Sequence, residues 1–144
     1  MVINIKTGEL ETAVKLSTQI PEFESPYGMD EYEKRMDDSA FILTAKIDDT
    51  PVGFKIGYDR FNDGSFYSWM GGVLPRHRRQ GLAEELADHQ ENWARGKGYS
   101  SIKMKTRKKH EAMLKFSLKR GFVITGEITK IPESESRIWM EKKL

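Results

Sequence analysis

Residues 73–86 read Val-Leu-Pro-Arg-His-Arg-Arg-Gln-Gly-Leu-Ala-Glu-Glu-Leu, and they carry the strongest indication of how this chain folds. An apolar strand stops at Pro75, a basic turn follows, and helical periodicity begins at Leu82. The first N–H groups of a helix lack intrahelical acceptors and lie at the positive end of its dipole, so such a helix start favours anions. Gly81 permits close backbone approach, and Ala83 keeps the helix surface small. The stretch therefore predicts a polyphosphate site.

The sequence before this stretch predicts a strand, two helices and three antiparallel strands. Alternation with a period of two over 41–47 and 52–58 indicates a hairpin, and an aromatic strand over 65–73 follows it. The first strand covers 2–6, and the two helices cover 9–19 and 29–36.

The sequence after this stretch predicts helix, strand, helix and two further strands. Leu82, Leu86 and Trp93 form the apolar stripe of the first of these helices. The later elements cover 101–106 (strand), 109–119 (helix capped by Gly121), 122–129 and 137–142 (strands). No repeat, linker or low-complexity tract interrupts the series.

The composition is that of a globular domain. The chain has 144 residues, of which 38% are hydrophobic and 32% charged, and no apolar run approaches the ~20 residues that span a bilayer. We expect one domain over 1–144, no membrane association and a cytoplasmic location, because the N-terminus lacks the features of a secretory signal. With no cysteine and three scattered histidines, we expect no metal site.

The net charge of +2 hides an asymmetry between two segments. Residues 22–38 carry seven acids against two basic residues, whereas residues 76–120 carry thirteen Lys or Arg against five acids. Either segment is compatible with an ordinary solvated face. The basic segment also coincides with the predicted phosphate site.

The run Arg78-Arg79-Gln80-Gly81-Leu82-Ala83 resembles the pyrophosphate motif of the GNAT superfamily, Arg/Gln-x-x-Gly-x-Gly/Ala. It is preceded by Gly72-Val73-Leu74-Pro75, which is similar to the usual end of that family's fourth strand. Neither a Gly-Lys-Ser/Thr loop nor a complete dinucleotide fingerprint is present. The predicted order of elements resembles the GNAT fold throughout. That fold is α+β, with a mostly antiparallel sheet of about seven strands, four helices, and a gap between strands four and five.

The resemblance implies an acetyl-CoA-dependent N-acetyltransferase. Its cofactor-binding residues would be Arg78, Arg79, Gln80, Gly81, Leu82 and Ala83 for the pyrophosphate, backbone groups of residues 70–74 (Gly72, Val73 and Leu74 among them) for the pantetheine, and His110 and Phe116 on the last helix. An amine would attack the thioester directly, a strand-four N–H would stabilise the oxyanion, and no covalent intermediate would form.

The sequence departs from the family at the catalytic residues. Anchoring on Gly121-Phe122 places Ser117 where many members carry a tyrosine acid and His110 where they carry an asparagine. Ser117 is a candidate acid or an ordinary helix residue, and His110 is either a ligand contact or plain surface. Tyr67 on strand four is a candidate catalytic or cleft residue, or an ordinary core residue. Glu24, Asp30 and Asp59 are candidate bases.

Two other functions stay open. The loss of the tyrosine is compatible with an acyl-CoA-binding module with little turnover, and the clusters at 76–79 and 103–110 could meet a nucleic-acid backbone. For an enzyme, the acidic segment favours a cationic amine acceptor, either a small molecule or a peptide. The last strand, with Ile138, Trp139 and Met140, could take part in a homodimer.

Overall fold

The computed structural model describes residues 2–144, and its elements follow the predicted order. The strands are β1 (Ile3–Thr7), β2 (Phe41–Ile47), β3 (Thr50–Tyr58), β4 (Ser65–Val73), β5 (Ser101–Arg107), β6 (Val123–Ile128) and β7 (Arg137–Lys143). The helices are α1 (Leu10–Ser17), α2 (Met29–Arg35), α3 (Leu82–Gly96) and α4 (Glu111–Lys119). A 3₁₀ helix at Pro75–His77 precedes α3.

Two helices begin later than their sequence patterns predict. Helix α1 begins at Leu10 because Glu9 is still extended, with φ −92° and ψ 144°. Helix α4 begins at Glu111, since His110 has ψ 66° and lies outside the helical region. Apolar periodicity locates a helix but does not determine its first residue.

The seven strands form one sheet in the order β1-β2-β3-β4-β5-β7-β6. All neighbouring pairs are antiparallel except β4 and β5, which are parallel and are connected through α3. The predicted fold class, a mostly antiparallel seven-stranded α+β sheet with four helices, is confirmed.

The helices cover the two faces of the sheet. On β3, Phe54 packs against Phe23 of the α1–α2 connection, with ring centroids 6.2 Å apart. The neighbouring Gly53 faces the other way, toward Leu86 of α3. Leu86 and the buried Tyr32 of α2 belong to one hydrophobic core, whose residues lie on both faces of the sheet. Burial of one such large apolar side chain is worth about 1.5–3 kcal/mol.

Strands β4 and β5 pair over only part of their length. The ladder runs from Ser65 opposite Ser101 to Ser68 opposite Met104, and the rest of β4 has no partner on the β5 side. This open end is the predicted gap between strands four and five. Across the other edge of β4, the register shifts so that Trp69 is an extra, bulged residue.

The C-terminal strand contributes mainly to the core. Ile138 and Met140 are buried, and only Trp139 of the three residues considered for dimerisation is partly exposed. Among the helices of residues 2–144, none is long and apolar enough to cross a membrane.

Candidate active site

The basic loop leads into α3 through left-handed backbone. Arg79 has φ 63° and Gly81, the residue before the helix, has φ 80°. Leu82 is buried and fixes the helix to the core, while Gly81 and Ala83 are exposed. No atom lies within 4 Å of the position that a Cβ on Gly81 would occupy. No side chain caps the start of α3, so the first amides of this 15-residue helix lack an acceptor at the positive end of its dipole.

Arg78 is held between the end of β4 and the α1–α2 connection. Its Nε donates to the Val73 carbonyl at 3.0 Å, and its terminal nitrogens donate to both carboxylate oxygens of Glu22, at 2.7 and 3.0 Å. The hydrogen bond from Arg78 holds the pKa of Glu22 below its usual value. Arg79 and Gln80 are exposed, and Arg79 has no ion pair with a carboxylate in the part of the chain described.

The open end of β4 lies directly before this loop. Residues 70–73 pair with β3 on one edge, and Leu74 donates its N–H to the Val52 carbonyl at 2.8 Å. A Cβ on Gly72 would lie only 2.8 Å from the Ile20 Cδ1, so a larger residue here would displace the end of the Ile20 side chain. The structure thus brings Gly72, Val73 and Leu74 next to the basic loop.

A cavity of about 30 Å³ lies at the closed end of the gap, between the sheet and helices α3 and α4. Ser117 and Phe116 both line it, as do Ser68 and Met104 at the last paired position of β4 and β5. The Ser117 hydroxyl is buried and donates to the Met104 sulfur at 3.3 Å and to the Met113 sulfur at 3.8 Å. The position of Ser117 at the gap agrees with the resemblance, but a hydroxyl bonded to thioethers is a poor acid.

Lys55 lines the same cavity and was not among the site residues predicted from the sequence. Its ammonium forms no ion pair within the described structure. Burial lowers the pKa of Lys55 to about 8, helped by the nearby Arg120 cation and opposed by Glu91. The sequence feature that could have identified Lys55 is its place between two glycines, Gly53 and Gly57, on a strand in the interior of the sheet.

The opposite face of β4 is aromatic. Tyr67 is buried, with its ring 5.7 Å from that of Tyr58 and 5.9 Å from that of Trp139. Trp69 lies 5.1 Å from Tyr32 and 6.0 Å from Tyr27. Burial raises the pKa of Tyr67, which keeps its hydroxyl protonated at neutral pH. Alternation along β4 therefore places Tyr67 and Trp69 on the α1–α2 face, and Ser68 on the cavity side.

The three candidate bases, Glu24, Asp30 and Asp59, lie at different places in the structure. Glu24 accepts a hydrogen bond from Lys109 at 2.5 Å, which lowers the pKa of the carboxyl, and Arg107 lies 3.9 Å away. Asp59 accepts from the Asn62 N–H at 3.0 Å. Asp30 is exposed in the first turn of α2. The structure therefore does not gather these three carboxylates at one point.

His110 is partly buried where α4 begins. Burial lowers its pKa first, and the Arg107 and Lys109 cations lower it further, although Glu22 opposes them. His110 is therefore neutral at pH 7. Glu22, the partner of Arg78, is the carboxylate that opposes this lowering most strongly.

Comparison with protein families matches residues 10–122 to the Acetyltransferase (GNAT) family. Comparison with curated proteins gave no match. No group of three or more His, Asp or Glu side chains within residues 2–144 could hold a metal ion.

Several solved structures share the fold. The ribosomal-protein-S18-alanine N-acetyltransferase from Escherichia coli superposes with a TM-score of 0.84 at 15% identity, covering 99% of this chain and 94% of that one. Ard1 from Thermoplasma volcanium gives 0.83 at 18% identity, covering 100% and 99%. The PaiA N-acetyltransferase from Thermoplasma acidophilum, solved in complex with coenzyme A, gives 0.77 at 16% identity and covers 100% of both chains. At these identities the likeness shows the fold.

Proposed function

This chain belongs to the GNAT acetyltransferase family, and on that premise we propose that it moves an acetyl group from acetyl-CoA to a primary amine by direct attack in a ternary complex. The similar Thermoplasma acidophilum protein was solved with coenzyme A. The observation that carries the proposal is the juxtaposition of the Arg78–Ala83 loop with the open end of β4.

The loop has the properties that a pyrophosphate requires. Uncapped helix-start amides, the left-handed Gly81 and the guanidinium groups of Arg78 and Arg79 offer donors and positive charge in one place. The unpaired edge of β4 at Met70–Leu74 can accept an extended chain as an added strand. Gly72, Val73 and Leu74 would hold the pantetheine in this way, with His110 and Phe116 on the α4 side.

Bound acetyl-CoA would supply a thioester carbonyl at the closed end of the gap. The bulge at Trp69 frees backbone groups of β4 from the ladder with β3, and one of these N–H groups would stabilise the oxyanion. Tyr67 and Trp69 would form the wall against which the amine lies.

Proton transfer in this site does not depend on a tyrosine. Free thiols have a pKa of about 8.5, so a thiolate departs without a strong acid. Ser117 would position a water or the sulfur, and the Lys55 ammonium in the same cavity would supply positive charge. The amine proton would leave through water, since the hydrogen bond from Lys109 lowers the pKa of Glu24 and makes this carboxylate a weak base.

Titration calorimetry with acetyl-CoA on a Gly81→Glu variant tests the proposal. A carboxylate there would repel the pyrophosphate, and we expect affinity to fall by at least ~100-fold. Gly98→Glu is the matched control, because Gly98 also has a positive φ of 93° and open space at its Cβ, but lies at the other end of α3. We expect the control to bind like the wild type. A folded Gly81→Glu protein with unchanged affinity would contradict the assignment.

A second candidate, an acyl-CoA-binding module with little turnover, is favoured by the burial of Ser117 against two thioethers. Single-turnover release of coenzyme A thiol from bound acetyl-CoA, screened over amines, polyamines and peptide N-termini, separates the two functions. Release that depends on the amine supports the enzyme, and binding without release supports the module.

A nucleic-acid function has less support. Several cations of the 103–110 cluster already form ion pairs, among them Lys103 with Asp63 at 2.7 Å and Lys108 with Glu133 at 2.6 Å. Lys109 contacts both Glu24 and Glu135. These carboxylates would have to be displaced before the cluster could contact phosphates.

A further inference from the structure

Two cations lie against aromatic rings on the α1–α2 face, near the point at which β4 and β5 stop pairing. The guanidinium of Arg60 is 4.9 Å from the ring centroid of Tyr67 and 5.6 Å from that of Trp139. The ammonium of Lys105 lies 5.1 Å from the centroid of the same Trp139 ring, and Phe61 packs edge-to-face against Trp139 at 5.7 Å. Such contacts orient the cations while leaving their N–H groups available.

Neither cation has a carboxylate partner among residues 2–144. The next lysine along the same face of β5, Lys103, is paired with Asp63, and Arg107 is paired with Glu135 at 3.3 Å. Lys105 lies between them without an ion pair.

The surroundings of Lys105 are positive from several directions. Burial lowers its pKa, and every charged group that acts on it strongly is a cation. These cations come from the β3–β4 loop, the start of β7, the end of α2 and the β6–β7 loop: Arg60, Arg137, Arg35 and Lys130. Like charges in a half-buried site repel one another, so the free protein carries an electrostatic cost that an anion would relieve.

The cations lie where an acceptor would reach the acetyl group. Tyr67 and Trp69 flank Ser68, the last residue of β4 that pairs with β5. Arg60 lies over the first of these rings, and Arg35 lies 5.4 Å from the second. Arg60 and Arg35 therefore lie on the face of the sheet opposite the cavity that Ser117 lines.

Part of the acidic segment is already paired with cations. Glu22 is paired with Arg78, Glu24 with Lys109, and Glu31 with Arg35. Three of the seven acids that favoured a cationic acceptor are thus neutralised, two of them by residues at the proposed coenzyme side.

We infer that the acceptor is an amine whose molecule also carries an anionic oxygen group, a carboxylate or a phosphate, which Arg60 and Lys105 bind against the rings of Tyr67 and Trp139. The inference rests on the proposed acetyl transfer and names the substrate class of that site. Guanidinium and ammonium donors suit either oxyanion.

The experiment uses amines in matched pairs that differ only in the anion. Free-N-terminal peptides and ω-amino carboxylates are each compared with the corresponding carboxamide, and aminoalkyl phosphates form a third arm. Binding to the protein saturated with coenzyme A is followed by quenching of tryptophan fluorescence, and thiol release from acetyl-CoA is measured in parallel. We expect at least one carboxylate or phosphate to bind ~10-fold or more tightly than its neutral counterpart. The preferred arm identifies the oxyanion.

The variants Lys105→Met and Arg60→Gln should abolish this preference while leaving acetyl-CoA affinity unchanged. Lys143→Met is the control, since it removes the same charge from an exposed position farther along β7. The inference is overturned if the anion preference survives in both variants. It is also overturned if wild-type protein binds acetyl-CoA but shows no anion preference. The proposed function stands in either case. A wild-type protein that does not bind acetyl-CoA overturns the proposed function instead.

Discussion

The side chain of Lys55 passes close to Gly71, its register partner on β4. A Cβ on Gly71 would lie 3.3 Å from the Lys55 Cγ and 3.2 Å from the Phe54 carbonyl oxygen. The absence of a side chain on β4 at this point lets the Lys55 stem reach the cavity that contains Ser117. A charged group is thereby held at the closed end of the gap.

Replacing Lys55 with methionine should stabilise the protein at pH 7. The pKa of Lys55 is about 8 when folded against the ordinary 10.5, so the unfolded chain binds more protons between these values. Wild-type stability should therefore rise with pH across this window, because the charged ammonium destabilises the fold below pH 8. We expect Lys55→Met to raise the free energy of unfolding by roughly 1–3 kcal/mol at pH 7 and by much less at pH 10.5.

Urea unfolding of the wild type and of Lys55→Met at pH 7 and at pH 10.5 gives the difference in unfolding free energy at each pH. The contributions of the other titrating groups cancel in this difference. Lys46→Met, at an exposed lysine of β2, is the control and should change stability little at either pH. A loss of stability in Lys55→Met at pH 7 would show that the ammonium has a stabilising partner such as Glu91.

Removing the Glu22 carboxylate should strengthen coenzyme binding. In the free protein this carboxylate accepts hydrogen bonds from both terminal nitrogens of Arg78, the arginine proposed to contact the pyrophosphate. The pair is exposed, so breaking it should cost at most about 1 kcal/mol of stability. We expect Glu22→Gln to raise acetyl-CoA affinity by ~3-fold to 10-fold in calorimetry at low salt.

The matched control is Glu31→Gln, which breaks another exposed Arg–Glu pair of the same segment away from the loop. Its acetyl-CoA affinity should not change. Weaker binding in Glu22→Gln would mean that Glu22 orients Arg78 for the phosphate instead of competing with it.

The parts of the site that the sequence predicted are local. Pro75, Gly81 and the apolar stripe from Leu82 onward act within a few residues, so turn chemistry and periodicity were sufficient to locate the strand end, the loop and the helix. The element order followed in the same way. The direction of each β4 side chain could not be predicted, because the bulge at Trp69 depends on the register with β3.

The parts that the sequence did not predict are contacts between distant residues. Arg60 meets Trp139 only because the order of strands brings β7 beside β5. The partner of Glu22 is 56 residues away, so counting the acids of 22–38 overestimated the negative charge available to an acceptor. The surroundings of Lys55 could not be predicted from the sequence, because the residues of α3 and α4 that line its cavity are distant along the chain.

Salt should separate a coenzyme site from a nucleic-acid surface. A protein that neutralises several phosphates loses DNA affinity steeply as salt rises, through counterion release. The acetyl-CoA site also uses backbone amides and an open strand edge, so thermal stabilisation by acetyl-CoA should persist between low and moderate salt. Melting curves with acetyl-CoA or with duplex DNA at both salt concentrations make the comparison. Stabilisation by DNA, together with none by coenzyme A, would favour the nucleic-acid function.

Replacing Ser117 with alanine should have a small effect on turnover. The hydroxyl is buried and donates only to the Met104 and Met113 sulfurs, which are weak acceptors, so the folded protein should lose about 1 kcal/mol or less. A general acid contributes ~10²-fold or more, and its removal would cost at least that factor in kcat. A serine hydroxyl is too weak an acid for this role, and we expect kcat to fall ~10-fold or less, equivalent to roughly 1.4 kcal/mol of barrier.

Steady-state thiol release and acetyl-CoA calorimetry on Ser117→Ala measure the two quantities separately. Ser101→Ala is the control for a buried serine, since its hydroxyl donates to Glu141 at 2.6 Å at the opposite end of β5. If both variants fold and bind acetyl-CoA and only Ser117→Ala loses some turnover, Ser117 positions a water or the sulfur. A loss of kcat beyond a hundredfold in Ser117→Ala with unchanged acetyl-CoA affinity would instead identify this hydroxyl as the proton donor, because binding alone cannot account for so large a change in barrier.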